Sequence, residues 1–463
     1  MNHTNVYHHP LRYHFIGIGG ISMSGLAEIL LYAGHTITGS DMAESATVQH
    51  LRKLGIQVTV PHSAANISEE TDVVVYTAAI RADNPEYIEA TRQKKSVLER
   101  AQLLGQMLTG YANSVCVAGS HGKTSASALM TEIMLEAELD PTISVGGRLN
   151  VLDDANYRVG NSPYFLLESC EFNGSFHHFF PQVAIILNID ADHLDYYGTY
   201  ENVVAAFQKF AGNIKPGGTL VVEKSTGRNL RPVENVKIVT FGIKDADYTA
   251  ANIKYNAFGE SSFDIQHMGN TVATVNLPLP GEYSILNALA VFAAAISLGV
   301  APTTAAKALS SAKGVKRRFE YKGEYNGVTI IDDYAHHPTE IISCLKAARD
   351  SFCENEKHGR IFCVFHPHTY TRTRNHLAEF ATAFKDADYI LLLPIYPARE
   401  PFDPSISSLH LQEGIIGAGG NCTHFHDFAS AVSHLKEQLQ PGDMLITMGA
   451  GEAHIVGEAL LSL

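Results

Sequence analysis

The chain has 463 residues, enough for two or three domains at about 150 residues each, and its 45% hydrophobic content allows each a real core. Lys and Arg number 34 against 48 Asp and Glu, a formal net charge of −14, so there is no general field for holding nucleic acid or an anionic membrane. Anionic ligands must instead be met by a few local cations, by backbone N–H groups or by a metal ion.

The segment Met1 to Arg12 is polar and His-rich and does not read as a signal peptide. No run approaches the ~20 apolar residues of a membrane span. The six cysteines (Cys116, Cys170, Cys344, Cys353, Cys363, Cys422) contain no CxxC pair and suggest neither a disulfide framework nor a zinc site. The expectation is a soluble, cytoplasmic protein with no nucleic-acid partner and no membrane insertion.

Short β-branched runs alternate with helical segments, the pattern of α/β folds with parallel sheets. The first unit is a strand over 13–16, a turn Gly17-Ile18-Gly19-Gly20, a helix over 23–32 and a strand over 36–39 that ends at Ser40-Asp41. Gly17, Gly19 and Gly20 would let the backbone approach a pyrophosphate at a helix N-terminus, and Asp41 stands where dinucleotide-binding folds keep an acidic residue. Ser22 occupies the third glycine position, and the next glycine is Gly25. A tight strand-to-helix turn without a ligand is the plainer reading of the same residues. A further strand over 73–76 and a loop over 77–80 extend the unit.

The second opening is sharper. A strand over 115–118 runs into Gly119-Ser120-His121-Gly122-Lys123-Thr124 and a helix that begins with Ser125. In such a loop the backbone N–H groups cradle phosphates, Lys123 reaches the β- and γ-phosphates, and the Thr124 hydroxyl can hold Mg²⁺. Val117 stands where the generic phosphate loop has its first glycine, so this is a short variant. A strand over 164–167 ends at Glu168, with Glu171 three residues on, and a strand over 183–187 ends in Asn188-Ile189-Asp190-Ala191-Asp192-His193. Carboxylates and His at strand ends near a phosphate loop can hold hard divalent ions. Asp190, Asp192 and Asp195 also read as solvated loop acids, and the doublet His177-His178 needs no ligand to explain it.

In the last third, strands over 328–331, 361–365, 389–393 and 444–448 run into Asp332 to Pro338, His366 to Arg372, Ile395 to Glu400 and Gly449 to Gly451. These clusters lie past carboxyl ends of strands, the edge where open parallel sheets bind ligands. Any single His or Arg among them could as well belong to core or surface.

With these residues in view, the chain resembles the Mur ligases from about His14 to about Gly457. The resemblance is carried by Gly17 to Gly20 with Met23-Ser24-Gly25-Leu26-Ala27, by Gly119 to Thr124, by Asn188 to His193 and by Arg317-Arg318-Phe319. Asp332-Asp333-Tyr334-Ala335-His336-His337-Pro338-Thr339-Glu340 and Tyr396-Pro397-Ala398-Arg399-Glu400 add to it. It implies three α/β domains. A Rossmann-like domain over 1–110 would bind the UDP part of UDP-N-acetylmuramate, a P-loop domain over 111–315 would bind ATP, and a Rossmann-like domain over 316–463 would bind the amino acid. The implied reaction is carboxylate activation in peptidoglycan precursor synthesis: the lactyl carboxylate attacks the γ-phosphate of ATP, and the amine of L-alanine then displaces phosphate from the acyl phosphate.

The resemblance also implies roles. Gly17, Gly19, Gly20, Ser24 and Asp41 fall to the UDP-sugar. Gly119, Ser120, His121, Gly122, Lys123, Thr124, Ser125, Asn287 and Arg318 fall to ATP. Thr124 and Glu168 would hold one Mg²⁺ and His193 a second, with Lys123, Glu168 and His193 as the catalytic set. Tyr334, His368 and Arg372 would surround the amino acid. The two motifs that begin at Asp332 and Tyr396 point to alanine addition rather than to later stem residues, and Tyr396 to Glu400 favours free alanine over a whole murein tripeptide.

Departures from the family pattern are specific. Ser120 and Ser125 replace two threonines, Glu168-Ser169-Cys170-Glu171-Phe172-Asn173 lacks two family aspartates, Tyr283 and Ser284 replace His-Asn, and Thr369 stands where an arginine is common. An NAD-dependent oxidoreductase built on the Gly17 unit would leave Gly119 to Thr124 unexplained. A non-catalytic nucleotide sensor would not need Lys123, Thr124, Glu168 and His193 together. The sequence gives no indication of oligomeric state.

Overall fold

The computed structural model describes residues 9–77, 80–256, 259–353, 359–398 and 400–462, the side chains of 195, 352 and 353 excepted. The His-rich start, part of the loop expected over 77–80, the side chains of Asp195 and Cys353, and Arg399 of the Tyr396 to Glu400 motif therefore lie outside the described residues.

The first sheet has five strands: β1 (Arg12–Ile16), β2 (Thr36–Ser40), β3 (Gln57–Thr59), β4 (Val73–Tyr76) and β5 (Ser96–Glu99). Their order is β3-β2-β1-β4-β5, all parallel. The chain leaves β1 in both directions, so the crevice at the carboxyl ends of β1 and β4 is the topological switch point. Register sets Ile16 level with Ser40 and Tyr76, which brings the turns after β1, β2 and β4 to one edge. Helices α1 (Ile21–Tyr32), α2 (Ala46–Lys53) and α3 (Pro85–Arg92) form crossovers after β1, β2 and β4, and α4 (Arg100–Thr109) follows β5 toward the second sheet. Helix α2 starts at Ser45, whose side chain accepts the Val48 N–H, and α3 at Asn84 with Pro85 in its first turn, both favoured N-terminal devices.

The second sheet has ten strands. They are β6 (Asn113–Ala118), β7 (Thr142–Leu149), β8 (Ala155–Arg158), β9 (Tyr164–Glu168), β10 (Val183–Ile186), β11 (Thr219–Glu223), β12 (Lys237–Phe241), β13 (Tyr248–Tyr255), β14 (Glu260–His267) and β15 (Asn270–Pro280). Their order is β15-β14-β13-β12-β11-β10-β6-β9-β7-β8. The centre is parallel, with Ala118 beside Ile186 and Val117 beside Glu168, while β7 and β8 run antiparallel. Helix α5 (Lys123–Glu136) follows β6 directly. Val115, Cys116, Val117 and Ala118 are all fully buried, as expected of a central parallel strand covered on both faces.

The third sheet comprises β16 (Glu320–Tyr325), β17 (Val328–Asp333), β18 (Ile361–Phe365), β19 (Tyr389–Leu392), β20 (Cys422–His424) and β21 (Met444–Met448), in the order β16-β17-β21-β18-β19-β20. Only β16 is antiparallel to its neighbour. Asp333, Met448, Phe365 and Leu392 share one level, so the segments that follow them emerge on one edge.

Three α/β sheets thus follow one another in the chain, yet it divides into two compact units. The first runs up to Thr249 and takes in Ile265–Ala273 and Leu286–Leu309; the second takes Ala250–Asp264, Thr274–Ile285 and the chain from Ser310. The first sheet and the parallel centre of the second share a unit, within which α1 packs closely on β8. A Cβ on Gly25 would stand 3.2 Å from the Tyr157 ring, so this glycine permits the close approach. Asn156 Nδ2 donates to Ile21 O at 3.1 Å, and the Tyr157 hydroxyl donates to the buried Glu28 carboxylate. Among the described residues, no helix is long and apolar enough to cross a membrane.

Candidate active site

The phosphate loop joins β6 to α5. Gly119 and Gly122 carry φ of +149° and +81°, backbone conformations that favour glycine. A Cβ on Gly122 would lie 3.1 Å from Asn287 Oδ1, so Asn287, buried on helix Glu282–Ser297, borders the loop as expected. Ser125 sits half-buried in the first turn of α5, where N–H groups are free of intrahelical partners and suit anions.

The segment after β10 holds this loop in shape. Asn188 Oδ1 accepts the His121 N–H at 2.8 Å and its Nδ2 donates to His121 O at 3.1 Å. The Ser120 N–H donates to Asn188 O, and Ser120 Oγ accepts the Asp190 N–H at 2.9 Å. The His121 ring meets Asp190 Oδ2 at 3.0 Å. Asp190 and the largely buried Asp192 are therefore not the solvated loop acids that the sequence also allowed. One braces the phosphate loop and the other lies beside His193. Of the doublet, His177 has a plain structural explanation: it stacks on Phe176 and meets Ala206 O at 3.0 Å.

Lys123 lies in the mouth of the loop. Its ammonium donates to Gly119 O at 2.6 Å and Ser120 O at 3.1 Å, and lies 2.9 Å from Glu171 Oε2. Burial alone would lower its pKa, but the Glu171 carboxylate, with Cys170 and Glu168 behind it, reverses this and raises it. Lys123 thus stays cationic across the physiological range. Beside it, Thr124 Oγ1 donates to Glu168 Oε1 at 2.9 Å, while the Gly146 N–H donates to Glu168 Oε2 at 2.9 Å. His193 Nε2 stands 3.7 Å from Glu171 Oε1 and 3.7 Å from Asp192 Oδ2. The structure therefore brings Lys123, Thr124, Glu168, Glu171 and His193 together. Glu171, one of the strand-end carboxylates that the sequence offers to a divalent ion, pairs here with Lys123.

The turn after β1 is clamped by the segment after β2. Ser40 O accepts the N–H groups of Gly17 and Ile18, each at 2.9 Å, and Asp41 Oδ2 accepts that of Gly19 at 2.8 Å. Asp41 thereby shapes the glycine loop directly. Gly20 immediately precedes α1, and Ser24 turns its hydroxyl to Ile21 O.

In the second unit, Arg317 Nε donates to Asp332 Oδ2 at 3.0 Å and its Nη2 to Gly449 O and Gly451 O. The guanidinium carbons of Arg317 and Arg318 lie 5.0 and 5.1 Å from the Tyr334 ring centre, within cation–π range. Asp333 accepts the N–H groups of Phe319 and Ala335, each at 2.7 Å. Burial pushes its carboxyl up to about 6 although Arg318 opposes this. His368 stacks on Tyr396 at 5.9 Å and faces His336 at 5.5 Å, and its buried Nδ1 has no hydrogen-bond partner among the described residues. Thr369 caps helix Tyr370–Asn375, its hydroxyl accepting the Arg372 N–H at 3.3 Å. Tyr334, His368 and Arg372 are thus set on the segments after β17 and β18. Tyr283, in place of the family His, is half-buried, and Ser284 donates to Pro280 O at 2.6 Å.

A braced phosphate loop on a parallel sheet, with carboxylates beside its lysine and α/β modules on either side in sequence, defines a nucleotide-dependent enzyme of the P-loop kind. The chain matches the Mur ligase family catalytic domain over residues 12–112, the Mur ligase middle domain over 117–295 and the Mur ligase glutamate ligase domain over 317–451. It belongs to the Mur ligase family. It is 44% identical over 450 residues to a UDP-N-acetylmuramate–L-alanine ligase of Clostridium novyi, covering 97% of this chain and 96% of that one. A Caldanaerobacter subterraneus protein of the same name is 43% identical, with 97% of each chain covered. Among solved structures, the UDP-N-acetylmuramate–alanine ligase of Thermotoga maritima matches with a TM-score of 0.79 at 29% identity, covering 98% of both chains. A murein peptide ligase of Psychrobacter arcticus matches with a TM-score of 0.68 at 25% identity, again over 98% of both.

Proposed function

We propose that this chain is an ATP-dependent ligase that joins the lactyl carboxylate of UDP-N-acetylmuramate to L-alanine, in cytoplasmic peptidoglycan precursor synthesis. The observation that carries the reading is the convergence of Lys123, Thr124, Glu168 and Glu171 on one phosphate loop. Its support in sequence is 44% identity to an alanine-adding relative over nearly the whole length.

In the reaction a carboxylate oxygen attacks the γ-phosphorus and ADP leaves. The alanine amine then attacks the acyl carbonyl, loses a proton, and phosphate leaves with the C–O bond electrons. Two anions must meet in the first step, so cationic help is needed there. Lys123, held protonated, supplies it from the loop. The N–H groups of the loop and of the first turn of α5 orient the phosphates.

Thr124 and Glu168 would hold one Mg²⁺, and His193 a second. The hydroxyl and carboxylate oxygens suit a hard divalent ion, and the two side chains already meet at 2.9 Å. When bound, such an ion offsets charge between the phosphate and the attacking carboxylate. The domains we assign are 1–110 for the UDP-sugar through Gly17, Gly19, Gly20, Ser24 and Asp41, 111–315 for ATP, and 316–463 for alanine through Tyr334, His368 and Arg372. Asn287 and Arg318 are assigned to the nucleotide.

The test is phosphate release with ATP, Mg²⁺ and UDP-N-acetylmuramate, run without amino acid, with L-alanine and with the murein tripeptide. Release that depends on L-alanine and yields UDP-N-acetylmuramoyl-L-alanine is expected. Release with the tripeptide alone would move the chain to the recycling activity.

A further inference from the structure

Glu86 has no part in the functional assignment above, yet it is fully buried in the first turn of α3. Its Oε2 accepts the Ser40 hydroxyl at 2.5 Å and lies 3.3 Å from His14 Nε2. Its Oε1 accepts the Ser63 N–H at 3.0 Å and Asn66 Nδ2 at 2.6 Å. The His62 Nδ1 stands 2.8 Å from Ser40 Oγ. Because Ser40 donates to the carboxylate, its oxygen is left to accept from His62, so the three side chains form a directed chain.

One carboxylate therefore ties together β1 through His14, the end of β2 through Ser40, and the segment after β3 through Ser63 and Asn66. Ser40 is the residue whose carbonyl accepts the Gly17 and Ile18 N–H groups. We infer that Glu86 is a positioning residue for the sugar-nucleotide site, fixing the glycine turn after β1 through Ser40 without touching the ligand. This inference rests on the assignment of that turn to the UDP-sugar. Buried carboxylates persist only when fully satisfied, and here the interactions suffice. Burial alone would raise the Glu86 pKa, but His14, Ser40, Asn66 and the Ser63 N–H together hold it down at about 2.

Glu86→Gln keeps the shape but offers an amide N–H₂ where the pattern needs an acceptor on both oxygens. Ser40→Ala removes the link while keeping the carbonyl that accepts from Gly17. In the full-length enzyme, both variants should raise the KM and Kd for UDP-N-acetylmuramate at least tenfold. The KM values for ATP and L-alanine, and kcat at saturation, should stay within about twofold. Equal loss toward ATP and sugar nucleotide, or unchanged sugar-nucleotide binding in a folded variant, would overturn the inference. If Glu86→Gln does not fold, the Ser40→Ala split decides alone. Wild-type protein that fails to bind UDP-N-acetylmuramate overturns the functional reading itself, and the inference with it.

Discussion

Lys123 and Glu171 form a buried ion pair at 2.9 Å inside the phosphate loop, the carboxylate only 2% exposed. An arriving polyphosphate must compete with that carboxylate for the ammonium, so the lysine's value lies in charge at the transferring group rather than in fold stability. Lys123→Ala should lower kcat by about 10²–10³-fold, the scale for losing one transition-state donor. Binding of UDP-N-acetylmuramate, measured by calorimetry, should be unchanged. Unaltered turnover would remove Lys123 from the catalytic set.

Thr124 and Glu168 are coupled through one hydroxyl. Thr124→Val keeps the shape and deletes the oxygen, a loss of about 1–3 kcal/mol where a charged group is involved. The Mg²⁺ concentration for half-maximal activity should rise by about 10–100-fold. A Mg²⁺ titration that overlays the wild type would count against Thr124 as a ligand.

Asp190 reaches the loop through His121 and through its own backbone N–H on Ser120. Asp190→Ala removes the first link only. One hydrogen bond is worth about 1 kcal/mol net, so the KM for ATP should rise about fivefold with little change in that for alanine. Steady-state kinetics with each substrate varied in turn would check this.

Three histidines near the proposed amino-acid site should make the chain acid-sensitive well before carboxylates titrate. Burial, helped by neighbouring Arg372, His368 or Arg317 and opposed by Glu340 at His336 and by Glu400 at His368, holds His336, His366 and His368 down at about 4 against an ordinary 6.5. Between those values the unfolded chain binds more protons than the folded one, so stability rises with pH across that window and falls as pH drops from about 6.5 toward 4. Urea unfolding followed by circular dichroism at several pH values should show that slope, and His368→Asn should flatten it. A flat wild-type profile from pH 6.5 to 4.5 would contradict it.

What could be read beforehand was whatever local chemistry announces. The runs over 115–118 and 361–365 are apolar with β-branched residues, that over 13–16 is largely aromatic, and all are strands. Gly119 to Thr124 needs little context because few turns carry glycines and a lysine in that spacing. Strands such as Gln57–Thr59, with three residues, and Tyr248–Tyr255, with alternating exposure, lack such a signal. The brace from Asn188 and Asp190 spans about 70 positions in sequence, and no periodicity reports a contact so distant. Glu86 was equally hidden, since a glutamate in a first helical turn ordinarily faces water. The close approach of α1 to β8 rests on Gly25 meeting Tyr157, while the sequence shows only a glycine three places late.

The double link between Asn188 and His121 has a kinetic meaning. With both amide groups of Asn188 engaged, the phosphate loop surrenders its conformational freedom when the chain folds, not when nucleotide arrives. Preorganised sites spare association that ordering cost. Nucleotide capture should therefore proceed as a simple bimolecular encounter, its observed rate rising linearly with nucleotide concentration instead of levelling off at a loop-ordering step.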